Sequence, residues 1–281
     1  MTDQAQREED LVGMLSEAVV PLGPNRERPA LFCVHPGLGF GFCYSGLVRT
    51  LGRECSLYAI QARSLSQPAP APASVEAMAR DYLDVVRATE PTGPYCLLGW
   101  SFGGLVAHAL AGELERQGEH VPLLVMMDSH PYRDRDRALL PVSEQEAFTR
   151  LLEDLRFDLR DEPRPLARAR FFELVYKRIP SLALLDEEQR SNLIATWISS
   201  LRLGRAHVPG HFGGGLVFFT AAAASDHQSP LESWRPYVGG RIVNHDLDCK
   251  HTQMSDPAQI EQIGRTVAAE IARLKSGWCP G

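Results

Sequence analysis

Short apolar runs alternate with amphipathic stretches along most of this chain. ALFCVH (30–35), SLYAIQA (56–62), YCLLGW (95–100), VPLLVMMD (121–128), GLVFFTA (215–221) and GRIVNHDL (240–247) have strand length and are nearly continuous in apolar residues. Runs of that kind suit strands covered on both faces. Between them, residues 45–51 read as a short helix. Residues 75–89 place Val75, Met78, Tyr82, Val85 and Val86 on one helical face. Residues 102–117 are helical, with Gly118 as the C-terminal stop, and residues 257–274 form an amphipathic closing helix. The alternation predicts an α/β fold: a mainly parallel central sheet with helices on both faces.

Three segments break the rhythm. Residues 1–28 read as an N-terminal lead, with a short helical or flexible stretch, DLVGMLSEAV, running into the linker PLGPNRERP. Residues 64–74, SLSQPAPAPAS, form a Pro-rich extended loop. Residues 131–212, after the fourth strand, are rich in Arg, Glu and Leu with helical periodicity, and read as an inserted lid. Residues 29–281 are then one domain carrying that lid.

Composition narrows the function classes. A chain of 281 residues, 44 % of them hydrophobic, can bury one sizeable core. The net charge of -6 and the lack of a Lys/Arg run exclude a nucleic-acid footprint. No apolar run is long enough to span a membrane. MTDQAQREED has no signal-peptide pattern, so a cytoplasmic setting is expected. The six cysteines, at 33, 43, 55, 96, 249 and 279, have neither CxxC nor zinc-site spacing and read as free thiols, without metal or cofactor.

The chemistry concentrates at Gly99-Trp100-Ser101-Phe102-Gly103, a G-x-S-x-G elbow between a buried strand and a helix. The turn lifts the Ser101 hydroxyl above the sheet, and the flanking glycines are needed because a Cβ there would collide with backbone. It also places the Phe102 amide at a helix N-terminus, where negative charge is favoured. A serine nucleophile needs a base. His251, in the loop DCKHTQMSDP after the last strand, stands where this order of elements puts it. His245 lies within the strand, and His211 and His227 come too early. Two residues compete as acid: Asp128 at the end of VMMD, and Asp226 in the loop after GLVFFTA. Topology alone splits them nearly evenly, with Asp128 the tighter fit. A second oxyanion donor is expected from His35-Pro36-Gly37-Leu38-Gly39, with the Gly37 amide first and Leu38 next.

These stretches together resemble the type I thioesterase domains of non-ribosomal peptide synthetases, within the α/β-hydrolase superfamily. The resemblance is carried by PALFCVHPGLGFGFCYSGL, YAIQAR, GPYCLLGWSFGGLVAHALAGELERQGEHVPLLVMMDSHP and CKHTQMSDP, across residues 29–275. It implies Ser101 as acyl carrier, Asp128 as triad acid and His251 as base, with the Gly37 and Phe102 amides as oxyanion donors. It also implies release of an acyl or peptidyl chain from a peptidyl or acyl carrier protein, by hydrolysis or macrocyclisation, in non-ribosomal peptide or hybrid polyketide biosynthesis. The substrate would arrive on the carrier's 4'-phosphopantetheine arm. A one-domain chain fits either an excised domain or a free-standing enzyme. The free-standing editing thioesterases usually have His before the serine and Met after it, whereas this elbow reads Trp100-Ser101-Phe102. A general serine esterase is the remaining catalytic alternative. Arg164, Arg168 and Arg170 are expected to form a basic patch for an acidic carrier.

Overall fold

The computed structural model describes residues 17–24, 28–65, 71–132, 142–223 and 229–277. Its strands are β1 (Val19–Pro21), β2 (Ala30–Val34), β3 (Ser56–Ile60), β4 (Tyr95–Trp100), β5 (Leu123–Met127), β6 (Leu216–Ala221) and β7 (Ile242–Leu247). They form one sheet in the order β1-β3-β2-β4-β5-β6-β7. The β1–β3 pair is antiparallel and all the others are parallel. The order reverses between β2 and β4, so the carboxyl ends of these strands open a crevice of the kind that holds ligands in open α/β sheets.

The helices are α1 (Val48–Leu51), α2 (Val75–Thr89), α3 (Phe102–Arg116), α4 (Glu144–Asp154), α5 (Arg168–Arg178), α6 (Glu187–Ala206), α7 (Pro230–Trp234) and α8 (Pro257–Gly277). The apolar strands are continuous because both faces are covered. Phe32, Val34, Leu97, Leu124 and Met126 pack with α2 and α3 residues such as Tyr82, Val86, Val106 and Leu110. The alternate positions Leu31, Cys33, Leu98, Val125 and Met127 pack with Ile260, Ile263, Val267 and Ile271, one stripe of α8. Gly118, at φ +81°, closes α3 with a left-handed residue that glycine adopts without strain.

One strand departs from the sequence reading. The end of the lead is not helical: Val19–Pro21 is an extended edge strand on β3. The β-branched pair Val19-Val20 favours it, and an edge position tolerates Pro21, which has no N–H to donate. The earlier part of the lead and the centre of the Pro-rich loop, 66–70, lie outside the described residues.

Between β5 and β6 stands a helical insertion, with α4, α5, a 3-10 turn at Pro180–Leu184 and α6 inside the expected 131–212. It has its own core, where Phe148, Leu152, Phe171, Val175 and Leu193 meet, joined to the sheet region through Phe40, Ala62 and Leu65. Its helices are capped locally. Ser143 Oγ accepts from the Glu146 amide at 3.1 Å, and Asp186 and Gln189 form a reciprocal capping box. The arginines expected to offer a basic patch are largely consumed within the insertion. Arg168 pairs with Glu144 at 2.5 Å, Arg170 with Glu162 at 2.7 Å and Glu173 at 2.9 Å, and Arg164 donates to Thr149 Oγ1 at 2.8 Å. Glu144, Glu162 and Glu173 cancel the charges of Arg168 and Arg170 locally, so these two arginines do not form a free cationic face.

Candidate active site

The site lies at the carboxyl ends of β2, β4, β5 and β7. Beyond β4, Ser101 takes φ 56°, ψ -125°, and its amide donates to Met127 O at 3.0 Å. A non-glycine residue at positive φ is strained and persists only where its surroundings hold it. Here α3 starts at once, and the Gly104 amide donates back to Ser101 O at 3.0 Å. The expected glycine requirement is met: a Cβ on Gly103 would overlap the carbonyl oxygens of Val34 and His35, and one on Gly99 would overlap the Gly103 backbone. Phe102 opens α3, so its amide is among the first-turn N–H groups without an intrahelical acceptor. Its side chain turns into the core, 8 % exposed.

Asp128 also has positive φ, 44°, directly after β5. Its amide donates to Phe219 O at 2.8 Å, and its Oδ1 accepts from the Ala221 amide at 3.2 Å, so β6 grips it at both ends. Its Oδ2 lies 2.7 Å from Nδ1 of His251, the first residue of a short 3-10 turn after β7. His130 Nε2 stands 3.6 Å from Oδ1, close but beyond hydrogen-bond length. Burial by itself would raise the Asp128 carboxyl. The neighbouring His130 and His251 and the Ala221 amide outweigh it and hold the carboxyl well below the usual carboxylate range. Asp128 is therefore an anion facing the histidine. Of the other candidates, His245 is stacked on Phe219 at 5.2 Å, and Asp226 and His227 lie outside the described residues.

The turn after β2 is locked from behind. His35 is fully buried; its Nδ1 is 2.7 Å from Pro36 O and its Nε2 is 2.6 Å from the Tyr82 hydroxyl. A carbonyl only accepts, so Nδ1 carries the proton and Nε2 accepts from Tyr82. Burial lowers the His35 pKa to about 4, which keeps the ring neutral. The Gly39 amide donates to the same Pro36 carbonyl at 2.9 Å. Pro36 C=O and Gly37 N–H share one peptide plane and point in opposite directions, so fixing the carbonyl fixes the direction of the Gly37 N–H. A Cβ on Gly37 would overlap the Trp197 ring, so the insertion closes directly over this turn. Sequence reasoning gives His35 and Tyr82 no part in this; the available signal is that His35 stands at a strand end immediately before Pro-Gly.

Ser101, His251, Gly37 and Leu38 all line one cavity of about 370 Å³, within the range of small-molecule sites. Its floor comes from the sheet ends and its wall from α4, the 3-10 turn Pro180–Leu184 and α6, through Leu151, Leu182 and Trp197. Cys43 shares the cavity, but burial pushes its thiol far up, so it stays protonated and does not compete as a nucleophile. Among the described residues no cluster of His, Cys, Asp and Glu is arranged to hold a metal ion, and no helix is long and apolar enough to cross a membrane.

The chain is similar to known proteins in both sequence and fold. It is 36 % identical over 267 residues to a dimodular nonribosomal peptide synthase of Bacillus subtilis (strain 168), covering 92 % of this chain and 11 % of that synthase. It is 36 % identical over 263 residues to malpibaldin synthetase of Mortierella alpina, covering 91 % and 4 % respectively. The chain thus spans a small part of these relatives. Its fold matches the NocB thioesterase domain from the nocardicin cluster, determined as a covalent fluorophosphonate complex, with a TM-score of 0.65 at 23 % identity over 92 % of this chain and 99 % of that one. It also matches the surfactin-cyclising thioesterase domain, with a TM-score of 0.57 at 18 % identity over 95 % and 98 %. The thioesterase domain family model matches residues 29–271, and the chain belongs to that family of α/β-hydrolase-fold serine hydrolases.

Proposed function

We propose that this thioesterase releases an acyl or peptidyl chain from a phosphopantetheinyl carrier protein through an ester on Ser101. The observation that carries this is the 2.7 Å contact of the Asp128 carboxylate with His251 Nδ1, beside a cavity that also holds Ser101. Asp128 holds the ring with Nδ1 protonated, leaving Nε2 as the base. Ser101 Oγ attacks the thioester carbonyl carbon as its proton passes to Nε2. The oxyanion meets the Gly37 and Phe102 amides. The C–S bond breaks, the leaving thiolate takes the proton from His251, and an acyl-O-Ser101 ester remains. Water, or an amine or hydroxyl of the chain itself, then attacks; His251 accepts its proton and returns one to Ser101.

The helical insertion serves as the lid, because Trp197 roofs the Gly37 turn and α4 walls the cavity. Excluding water there favours an internal nucleophile over hydrolysis. The relatives that support a carrier-bound substrate include a nonribosomal peptide synthase of which this chain spans 11 %; a carrier tethered in the same chain would make the second binding step effectively intramolecular. The substrate's phosphopantetheine arm would be the route of entry, and the protein would bring no cofactor of its own. Mixing the protein with acyl-loaded holo carrier and measuring intact mass tests the proposal. An acyl adduct on Ser101, absent from Ser101→Ala, is the expected result. Cleavage by Ser101→Ala at the unmodified rate would remove Ser101 as nucleophile.

A further inference from the structure

The cavity wall contributed by the insertion is apolar except at two places. Leu151, Leu155, Ile179, Leu182 and Trp197 supply hydrocarbon, while Asp154 and Arg178 bring charge. Arg178 is exposed, and its guanidinium sits 5.4 Å from the centre of the Phe157 ring, which gives that charge a partner. Asp154 is differently placed. It is the last residue of α4, where the helix dipole disfavours an anion. Its side chain keeps only 29 % of its surface exposed. Its nearest cation is Arg150, one turn back, with Nε at 3.5 Å and a side chain 56 % exposed to screening solvent. Glu153 beside it adds a like charge, and His251 across the cavity acts on it from the reacting centre. The sum is unfavourable for the anion: burial outweighs Arg150 and His251, and the carboxyl is pushed above its usual range.

A carboxylate set at the wrong end of a helix and in an apolar wall breaks two local rules at once, and it stands within electrostatic reach of the catalytic histidine. Such breaks concentrate where a ligand makes them good. We infer that Asp154 is the subsite for a protonated amine on the acyl chain, so that the substrate class is an aminoacyl or short peptidyl thioester with an apolar body and a cationic group. An ammonium carries donors for both carboxylate oxygens and supplies the positive charge that Arg150, turned to solvent, supplies poorly. The surrounding leucines and Trp197 hold the apolar part of the same chain. A cavity of about 370 Å³ takes one or a few residues of such a chain.

The inference rests on the thioesterase reading, and the experiment separates the two. Two pantetheine thioesters of equal length are compared, one ending in an ammonium and the other in a methyl group. The quantity read is the ratio of their kcat/KM values in the unmodified protein, in Asp154→Asn and in Asp154→Glu. A charge-assisted contact predicts that the ratio falls roughly 10-fold or more in Asp154→Asn, and that Asp154→Glu recovers most of it. A ratio unchanged by Asp154→Asn, with both thioesters still cleaved, overturns the amine subsite and leaves the thioesterase reading intact. An unmodified protein that cleaves neither thioester overturns that reading and the subsite with it. A fall that Asp154→Glu fails to recover assigns the loss to wall shape rather than charge, and also overturns the subsite.

Discussion

The sheet region and the helical insertion meet across one cavity, yet they position side chains by different means. Ser101 and Asp128 sit directly on strand ends, each at positive φ and each tied by its amide to the neighbouring strand. Hydrogen bonds to the neighbouring strands thus set these two side chains, and a displacement of one moves the ladder with it. Asp154, Leu151 and Trp197 sit on helices held by a separate core and by surface ion pairs. Their placement depends on how α4, α5 and α6 pack on one another, which apolar side chains can change without touching the sheet. On the proposed function, chemistry is fixed where backbone hydrogen bonds fix it, and substrate choice resides where packing alone decides.

That contrast breaks first at the acid. Asp128→Asn keeps the shape and the Ala221 contact but removes the anion that orients His251. The expected loss is about 10⁴-fold in kcat, the size a triad acid carries, with folding little changed. A loss below 10-fold, measured on any thioester the protein cleaves, would move the acid elsewhere, Asp226 being the alternative the sequence leaves.

The insertion is tested through Phe148, which is 1 % exposed and stacks on Phe171 with ring centres 4.0 Å apart. Phe148→Ala leaves a cavity in the insertion's own core and should cost about 3–5 kcal/mol there. Hydrogen exchange should then quicken across 144–206 while β4 and β5 keep their protection. Equal loss of protection in both regions would show a single cooperative unit and dissolve the distinction.

The same contrast explains what the sequence revealed. The elbow, the Asp128 strand end, the His251 loop and the His-Pro-Gly turn were legible because strand ends convert sequence position into spatial position. Six of the seven strands were legible for the same reason, through short apolar runs. β1 was not: three residues, one of them a proline, carry too little pattern to outweigh a lead read as helical or flexible. The helices of the insertion were visible by periodicity, but not which residues face the cavity, since that depends on helix-to-helix packing. Asp154 therefore carried no signal of its own, and Arg168 and Arg170 read as part of a basic patch, although Glu144 and Glu162 neutralise them in the folded chain.

Acid should separate the two regions further. His35 and His108, both in the sheet region, have pKa values of about 4 because burial disfavours their charged forms. An unfolded histidine titrates near 6.5, so between about pH 6.5 and 4 the unfolded chain binds more protons than the folded one. Stability should fall as pH drops through that window, by up to about 3 kcal/mol for each ring. Asp128 has the depressed carboxyl of the usual kind, and its contribution is lost only at still lower pH. Asp154 in the insertion has the opposite sign: its raised carboxyl favours folding as it takes up a proton. Urea midpoints at pH 7, 5.5 and 4.5 should therefore decline, and a flat series would contradict buried neutral histidines.

The smallest expected effect probes how far the sheet's rigidity reaches into the turn after β2, the proposed oxyanion site. Tyr82 lies on α2 and does not line the Ser101 cavity; its hydroxyl is 2.6 Å from Nε2 of His35, which stands two residues before Gly37. The chain of constraint is short. Tyr82 donates to Nε2, which obliges the proton to sit on Nδ1. Nδ1 then donates to Pro36 O, and that carbonyl sets the plane of the Gly37 amide. Tyr82→Phe removes the first link and leaves a buried ring nitrogen without its donor, at a cost of about 1–3 kcal/mol in stability. The Gly39 amide still holds Pro36 O, so the turn keeps most of its geometry. Activity should consequently fall only a few-fold, in kcat rather than KM, because the lost alignment matters to the oxyanion and not to the bound thioester. A KM rise with unchanged kcat would place Tyr82 in substrate binding. A kcat loss approaching that of Asp128→Asn would mean that the turn depends on His35 alone, and that Gly39 contributes nothing to holding the donor in place.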